Sequence, residues 1–147
     1  MFYFIESSKF ELTNMSYKDF DSIINDFGYT QSKNGFLHNY FDWSKIEHWF
    51  FQYEVCSQSE LHEIFANTEI INENVSFLVR LKHRLPLIQV TAENLVDMLE
   101  DLCYETGMGW EAVSSCGRYI IEFTDSYEYL AKCNFVIEST KHEIKKL

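Results

Sequence analysis

Apolar positions recur along this chain with two different periods, and the period decides the element. Phe20, Ile23, Ile24 and Phe27 fall at i, i+3, i+4 and i+7, which predicts an amphipathic helix over residues 17–27. Ser16 offers a hydroxyl cap at its start and Gly28 a stop at its end. A second stripe of Leu95, Met98, Leu99, Leu102 and Cys103 predicts a helix over residues 92–106, capped by Thr91 and ended by Gly107. Leu61, Ile64 and Phe65 predict a shorter helix over residues 59–66, opened by Ser59.

Short apolar or alternating runs predict strands at residues 2–5, 10–13, 29–31, 36–41, 75–81, 87–90, 112–114, 119–124 and 134–138. Asn34-Gly35 accepts the positive φ of a tight hairpin turn, and Ser115-Cys116-Gly117 supplies a second turn. Residues 44–55 support two readings. Ser44 to Glu47 has the form of a capping box, while Trp49, Phe51, Tyr53 and Val55 alternate in an aromatic-rich run. The strand is the preferred reading. Residues 125–132 read as helix or loop, and the polar segment 139–147 is expected to fray.

These elements predict a single α+β domain over residues 1–147, with a mainly antiparallel sheet and its helices on one face. Both long helices follow a strand, start at a hydroxyl and stop at a Gly. That order implies a duplicated strand–helix–hairpin unit, although residue identities do not repeat.

Charge sharpens the picture by position. The net charge is −11, yet residues 46–79 hold six acids and no Lys or Arg, and residues 85–117 hold six more with none. The other residues carry 11 acids and 12 bases, so the whole excess lies in two windows. Such a chain is not expected to bind nucleic acid or an anionic membrane directly, because both require clustered Lys and Arg. No basic, apolar leader precedes Glu6 and no apolar run reaches 18 residues, so a cytoplasmic protein is expected.

On the predicted 92–106 helix, Glu93, Asp97, Glu100, Asp101 and Tyr104 share an arc of roughly 100° opposite the leucines. Asp101 and Glu105 would then crowd like charges near the negative end of the helix dipole. A basic partner would relieve that cost. Glu60, Glu63 and Trp49 form a second candidate contact set, where carboxylates adjoin an aromatic run.

Catalytic and metal signatures are sparse. Cys56, Cys103, Cys116 and Cys133 contain no Cys-x-x-Cys pair, and His62-Glu63 lacks a second His four residues on. Neither a cofactor nor a metal is expected. Cys103 reads as a small buried hydrophobe, and an acidic neighbourhood is expected to raise the Cys116 thiol. Lys82-His83-Arg84 reads as a solvated basic turn.

In general character the chain resembles bacterial immunity proteins, including those of contact-dependent inhibition systems, at the level of class alone. That resemblance implies a non-enzymatic inhibitor of a basic toxin domain, for instance a nuclease. Two alternatives stay open at this point. One is a small enzyme or ligand-binding module with a pocket among Trp43, His48, Tyr53 and Trp110. The other is a phage-type anti-nuclease or nucleic-acid mimic, which shares the same physics.

Overall fold

Strands β7 (Gly109–Ser114) and β8 (Ile120–Thr124) form the centre of the molecule because nearly every residue in them is buried. In the computed structural model, residues 2–33, 39–81, 85–107, 109–124 and 128–147 are described. Around the central pair lie β5 (Ser76–Arg80), β6 (Ile88–Thr91) and β1 (Glu11–Leu12) on one side. On the other side are β9 (Leu130–Cys133), β4 (Trp49–Gln52) and β10 (Lys145–Lys146). Among the described residues these form one sheet in the order β1-β6-β5-β7-β8-β9-β4-β10. Every neighbouring pair in it is antiparallel. Both edge strands are only two residues long, which leaves little free edge for unwanted pairing. The mainly antiparallel α+β architecture expected from the sequence is the one observed.

The helices do not all lie on one face. Phe77, Val79, Trp110, Ala112, Ile121 and Phe123 point to one side. There they pack with α2 (Gln58–Ala66), α3 (Glu69–Asn72), α4 (Ala92–Asp97) and α5 (Leu99–Thr106). Leu78, Val113 and Ile120 alternate with them and point to the other side, against Phe20 and Ile24 of α1 (Asp19–Asp26). Phe41, Trp43 and Leu87 complete that second core. The physical reason is visible in β7 and β8, where apolar residues run consecutively rather than alternately. A strand of that kind must be covered on both faces.

Element boundaries moved where local chemistry overrode the hydrophobic period. Helix α1 begins at Asp19 and draws no side-chain cap from Ser16, whose backbone N–H instead donates to Asp19 Oδ2 at 2.7 Å. Helix α2 begins one residue earlier than expected because Ser57, with Glu60, makes the capping box. The expected 92–106 helix is broken at Met98, which leaves the helical region at φ −124° and ψ 18°. Thr91 caps α4 and Gly107 ends α5 in the left-handed conformation, as expected.

Residues 43–45 form one 3-10 turn and β4 follows, so the strand reading prevails in that stretch. Residues 2–5 form no strand, and the first ladder is confined to β1. Near the C-terminus the strand is β9, in the stretch read as helix or loop, because its inward residues Ala131 and Cys133 are too small to announce themselves. Residues 134–138 bury Phe135 and Ile137 without joining the sheet. The tail is held rather than frayed, since β10 pairs with β4 and His48 exchanges two backbone hydrogen bonds with Leu147. The short strands β2 (Gln31–Lys33) and β3 (Asn39–Phe41) pair as a separate hairpin. The turn expected at Asn34-Gly35, like that expected at Lys82-His83-Arg84, lies outside the described residues. The two strand–helix–hairpin units therefore differ in space: the first hairpin stands apart, while the second is the centre of the main sheet.

Candidate functional site

The two acidic windows meet in one layer. Helices α2 and α3 come from the first window and α4 and α5 from the second, and α2 packs against α4 and α5 while α3 packs against α4. Together the four helices carry eight acids and neither Lys nor Arg. Glu93 and Asp101 are exposed, Asp97 and Glu100 are partly exposed, and the Tyr104 side chain is 62% exposed. Sequence periodicity thus placed these five residues on the outer side correctly, although they belong to two helices.

The break at Met98 changes their electrostatics. Glu100 and Asp101 occupy the first turn of α5, where the helix dipole favours a negative charge, rather than the far end of a long helix. Gln58 of α2 holds the break together. Its Nε2 donates to Val96 O at 2.9 Å, and its Oε1 accepts the Glu100 N–H at 2.8 Å. One amide thereby satisfies a freed carbonyl of α4 and a freed N–H of α5. Glu105, expected to repel Asp101 at the surface, is only 1% exposed and accepts the backbone N–H groups of Tyr3 and Phe4 at 2.9 and 2.8 Å. The like-charge cost read from the sequence is therefore relieved at this end by the fold itself.

Other acids of the layer have partners too. His62 Nε2 lies 3.2 Å from Asp97 Oδ1, and His142 Nε2 lies 2.7 Å from Glu60 Oε2. The Ser57 N–H, then His142 and the Ser57 hydroxyl, hold the Glu60 carboxyl down at about 2. Glu69 accepts the Tyr119 hydroxyl at 3.1 Å, and Glu73 accepts the same hydroxyl and pairs with Arg118 at 3.3 Å. Among the described residues, Glu63, Glu93, Glu100 and Asp101 have no cationic partner. Glu63 and Trp49 line a groove of about 1030 Å³ between α2, α3 and the C-terminal segment, with Glu69, Glu138 and Glu143 on its walls. The Lys146 ammonium sits 5.2 Å from the Trp49 ring centroid there.

Sequence reasoning missed a row of charges on the opposite face of the sheet. Arg80, Glu111, Glu122 and Lys132 stand side by side across β5, β7, β8 and β9. The first three are 1%, 2% and 1% exposed. Arg80 Nε donates to Glu111 Oε2 at 2.9 Å and its Nη1 to Asp21 Oδ1 of α1 at 2.6 Å, while Tyr17 and Phe20 cover its guanidinium. Glu122 accepts the Phe41 N–H at 3.2 Å and the Trp43 Nε1–H at 3.0 Å. Burial, reinforced by Glu111, pushes its carboxyl up to about 8. Glu111 was counted with the second acidic window, but it belongs to the interior. The available signal was a Glu interrupting each of two otherwise apolar strands.

The pocket imagined for an enzyme does not form from the residues named for it. Trp43 and His48 lie 5.1 Å apart, and Trp43 packs in the core of the α1 face. Tyr53 and Trp110 pack against Phe123 on the helical face. Cys103 is partly buried on α5 and burial drives its thiol up to about 12. Cys116 departs from expectation. Partial desolvation would raise its thiol, but the Ser114 hydroxyl, the Arg118 and Cys116 N–H groups and the Arg118 charge lower it. Among the described residues no group of three or more His, Cys, Asp or Glu is placed to hold a metal ion, and no helix is long and apolar enough to cross a membrane. No family model, curated protein or solved structure matches this chain.

Proposed function

We propose that the chain is a non-enzymatic binding protein that neutralises a basic protein, in the manner of an immunity or antitoxin protein acting in the cytoplasm. One observation carries this reading: the α2–α5 layer presents acids and no Lys or Arg, and several of those acids lack a cationic neighbour among the described residues. A nuclease cleft is basic because it holds phosphates, so an acidic layer of this kind would steer toward it and block it. Glu93, Asp97, Glu100, Asp101 and Tyr104 are assigned as the main contacts. Glu60, Glu63 and Trp49 form the second contact area, toward the C-terminal groove.

The test uses the whole chain as bait in lysate of its own cells, at low and high salt, followed by an activity assay of the captured protein. The expected partner is basic, is released by salt, and loses its activity when the wild-type chain is added. Asp97→Lys combined with Asp101→Lys should weaken inhibition by at least about tenfold. Inhibition that survives this double reversal, or a partner held equally well at high salt, overturns the proposal.

A further inference from the structure

Glu100 and Tyr104 do more than decorate an acidic surface. They line one side of a depression of about 260 Å³ between α5, the end of β4 and the start of β9. Tyr53 and Tyr129 line the rest with Glu54, and the buried Leu61 closes the floor. Three tyrosine rings and two carboxylates therefore surround one small concavity. Among the described residues neither Glu54 nor Glu100 has a side-chain hydrogen bond or an ion pair.

The rings are held in place before anything binds. Tyr53 donates its hydroxyl to Thr124 O at 2.5 Å and rests against Phe123 at 4.9 Å. Tyr129 meets Tyr53 edge-on at 6.0 Å, and its carbonyl accepts the Tyr53 N–H at 3.0 Å. Tyr104 is backed by the Phe4 ring at 5.7 Å, and Phe4 is itself fixed because Glu105 accepts its N–H. Preorganised aromatic walls lower the entropic cost of binding.

The geometry points to a pocket for an arginine side chain carried by the basic partner, with the guanidinium between the tyrosines and the two glutamates. Aromatic faces attract a cation, and carboxylates at the rim give it charge-assisted hydrogen bonds. An apolar group would cover Glu54 and Glu100 without pairing them, and an anion would be repelled. A guanidinium is favoured over an ammonium because it is planar, stacks on rings and sheds water more readily. This inference rests on the proposed function and adds the chemistry of one contact within it.

Oligo-arginine and oligo-lysine peptides of equal length test it by titration against the whole chain, with the tyrosine ring resonances as readout. The arginine peptide should bind about five- to tenfold more tightly and shift the rings of Tyr104 and Tyr129. Tyr104→Ala and Glu100→Gln, both at exposed or partly exposed positions, should each abolish that preference. Equal affinity for the two peptides, or a preference that survives Tyr104→Ala, overturns the pocket. Saturation by tetramethylammonium at concentrations that saturate the peptide also overturns it, since the site would then take any small cation rather than a guanidinium. The double reversal of Asp97 and Asp101 separates the two readings. If it weakens both peptides alike while no arginine preference exists, only the pocket falls; if it weakens neither, the acidic binding face falls with it.

Discussion

Glu111 and Glu122 stand directly opposite each other on β7 and β8, both buried, flanked across the sheet by Arg80 on β5 and Lys132 on β9. Two ionised carboxylates facing each other there would repel, and burial adds to the cost. The fold resolves the conflict unequally. Arg80 pairs with Glu111, while the Glu122 carboxyl is pushed up to about 8, by burial first and by Glu111 second.

A pH dependence follows from that asymmetry. The Glu122 carboxyl titrates near 4.5 in the unfolded chain and near 8 in the folded one, so the folded state holds the proton more tightly. Its contribution to stability is complete below the unfolded value and is lost as pH rises through the folded value. At about 1.4 kcal/mol per unit, the loss is on the order of a few kcal/mol. Urea unfolding followed from about pH 5 to about pH 9 should show stability falling in the wild type and a flatter profile in Glu122→Gln. A wild-type profile with no decline would show that Glu122 is not protonated at neutral pH.

Arg80 bridges the sheet to α1 through Glu111 and Asp21, so its removal strands a buried carboxylate. Arg80→Met should cost roughly 3–5 kcal/mol. Arg80→Lys should rescue little, because an ammonium does not reproduce the fork that reaches both acids. Combining Arg80→Met with Glu111→Leu should restore most of the loss, since the uncompensated charge goes too. Denaturant unfolding of the wild type, Arg80→Met, Glu111→Leu and the double variant gives the coupling, and additive losses would exclude the bridge as its source.

The period of apolar residues revealed the helices and most strands because Phe20, Leu95 or Phe77 must each reach a core. It did not reveal the break at Met98, since Met98 is buried and continues the stripe that the 3.6-residue period demands. The acids of α4 and α5 other than Glu105 were legible as outward positions for the same reason. Their partners were not, because Gln58, His62 and the N–H groups of Tyr3 and Phe4 come from distant parts of the sequence. The pocket of Tyr53, Tyr104 and Tyr129 is likewise a product of tertiary packing. Nothing in the sequence spacing brings those three rings together.

Gln58 offers a test of how the broken helix is held. Gln58→Ala leaves Val96 O and the Glu100 N–H without their side-chain partner, and should lower stability by about 1–3 kcal/mol. Gln58→Glu retains the acceptor for Glu100 but loses the donor to Val96, and adds another negative charge to the layer. It should be at least as damaging near neutral pH. Amide exchange at Glu100 is the local readout, and it should quicken in Gln58→Ala more than at Leu61 of the α2 core. Uniform quickening at both positions would mean that Gln58 does not hold the break specifically.

Asp101 separates the broken helix from a continuous one by the sign of a single substitution. At the dipole-negative end of one long helix beside Asp97, Asp101→Lys would stabilise the chain. In the first turn of α5 the carboxylate is favoured by the dipole, so Asp101→Lys should instead destabilise by about 0.3–1 kcal/mol. The same change should weaken binding of a basic partner, and both effects should shrink as salt is raised. Thermal unfolding and an affinity titration on one variant give both signs. A rise in stability would contradict the placement of Asp101 at a helix start. Unchanged affinity together with lost stability would remove Asp101 from the contact face while leaving the fold intact.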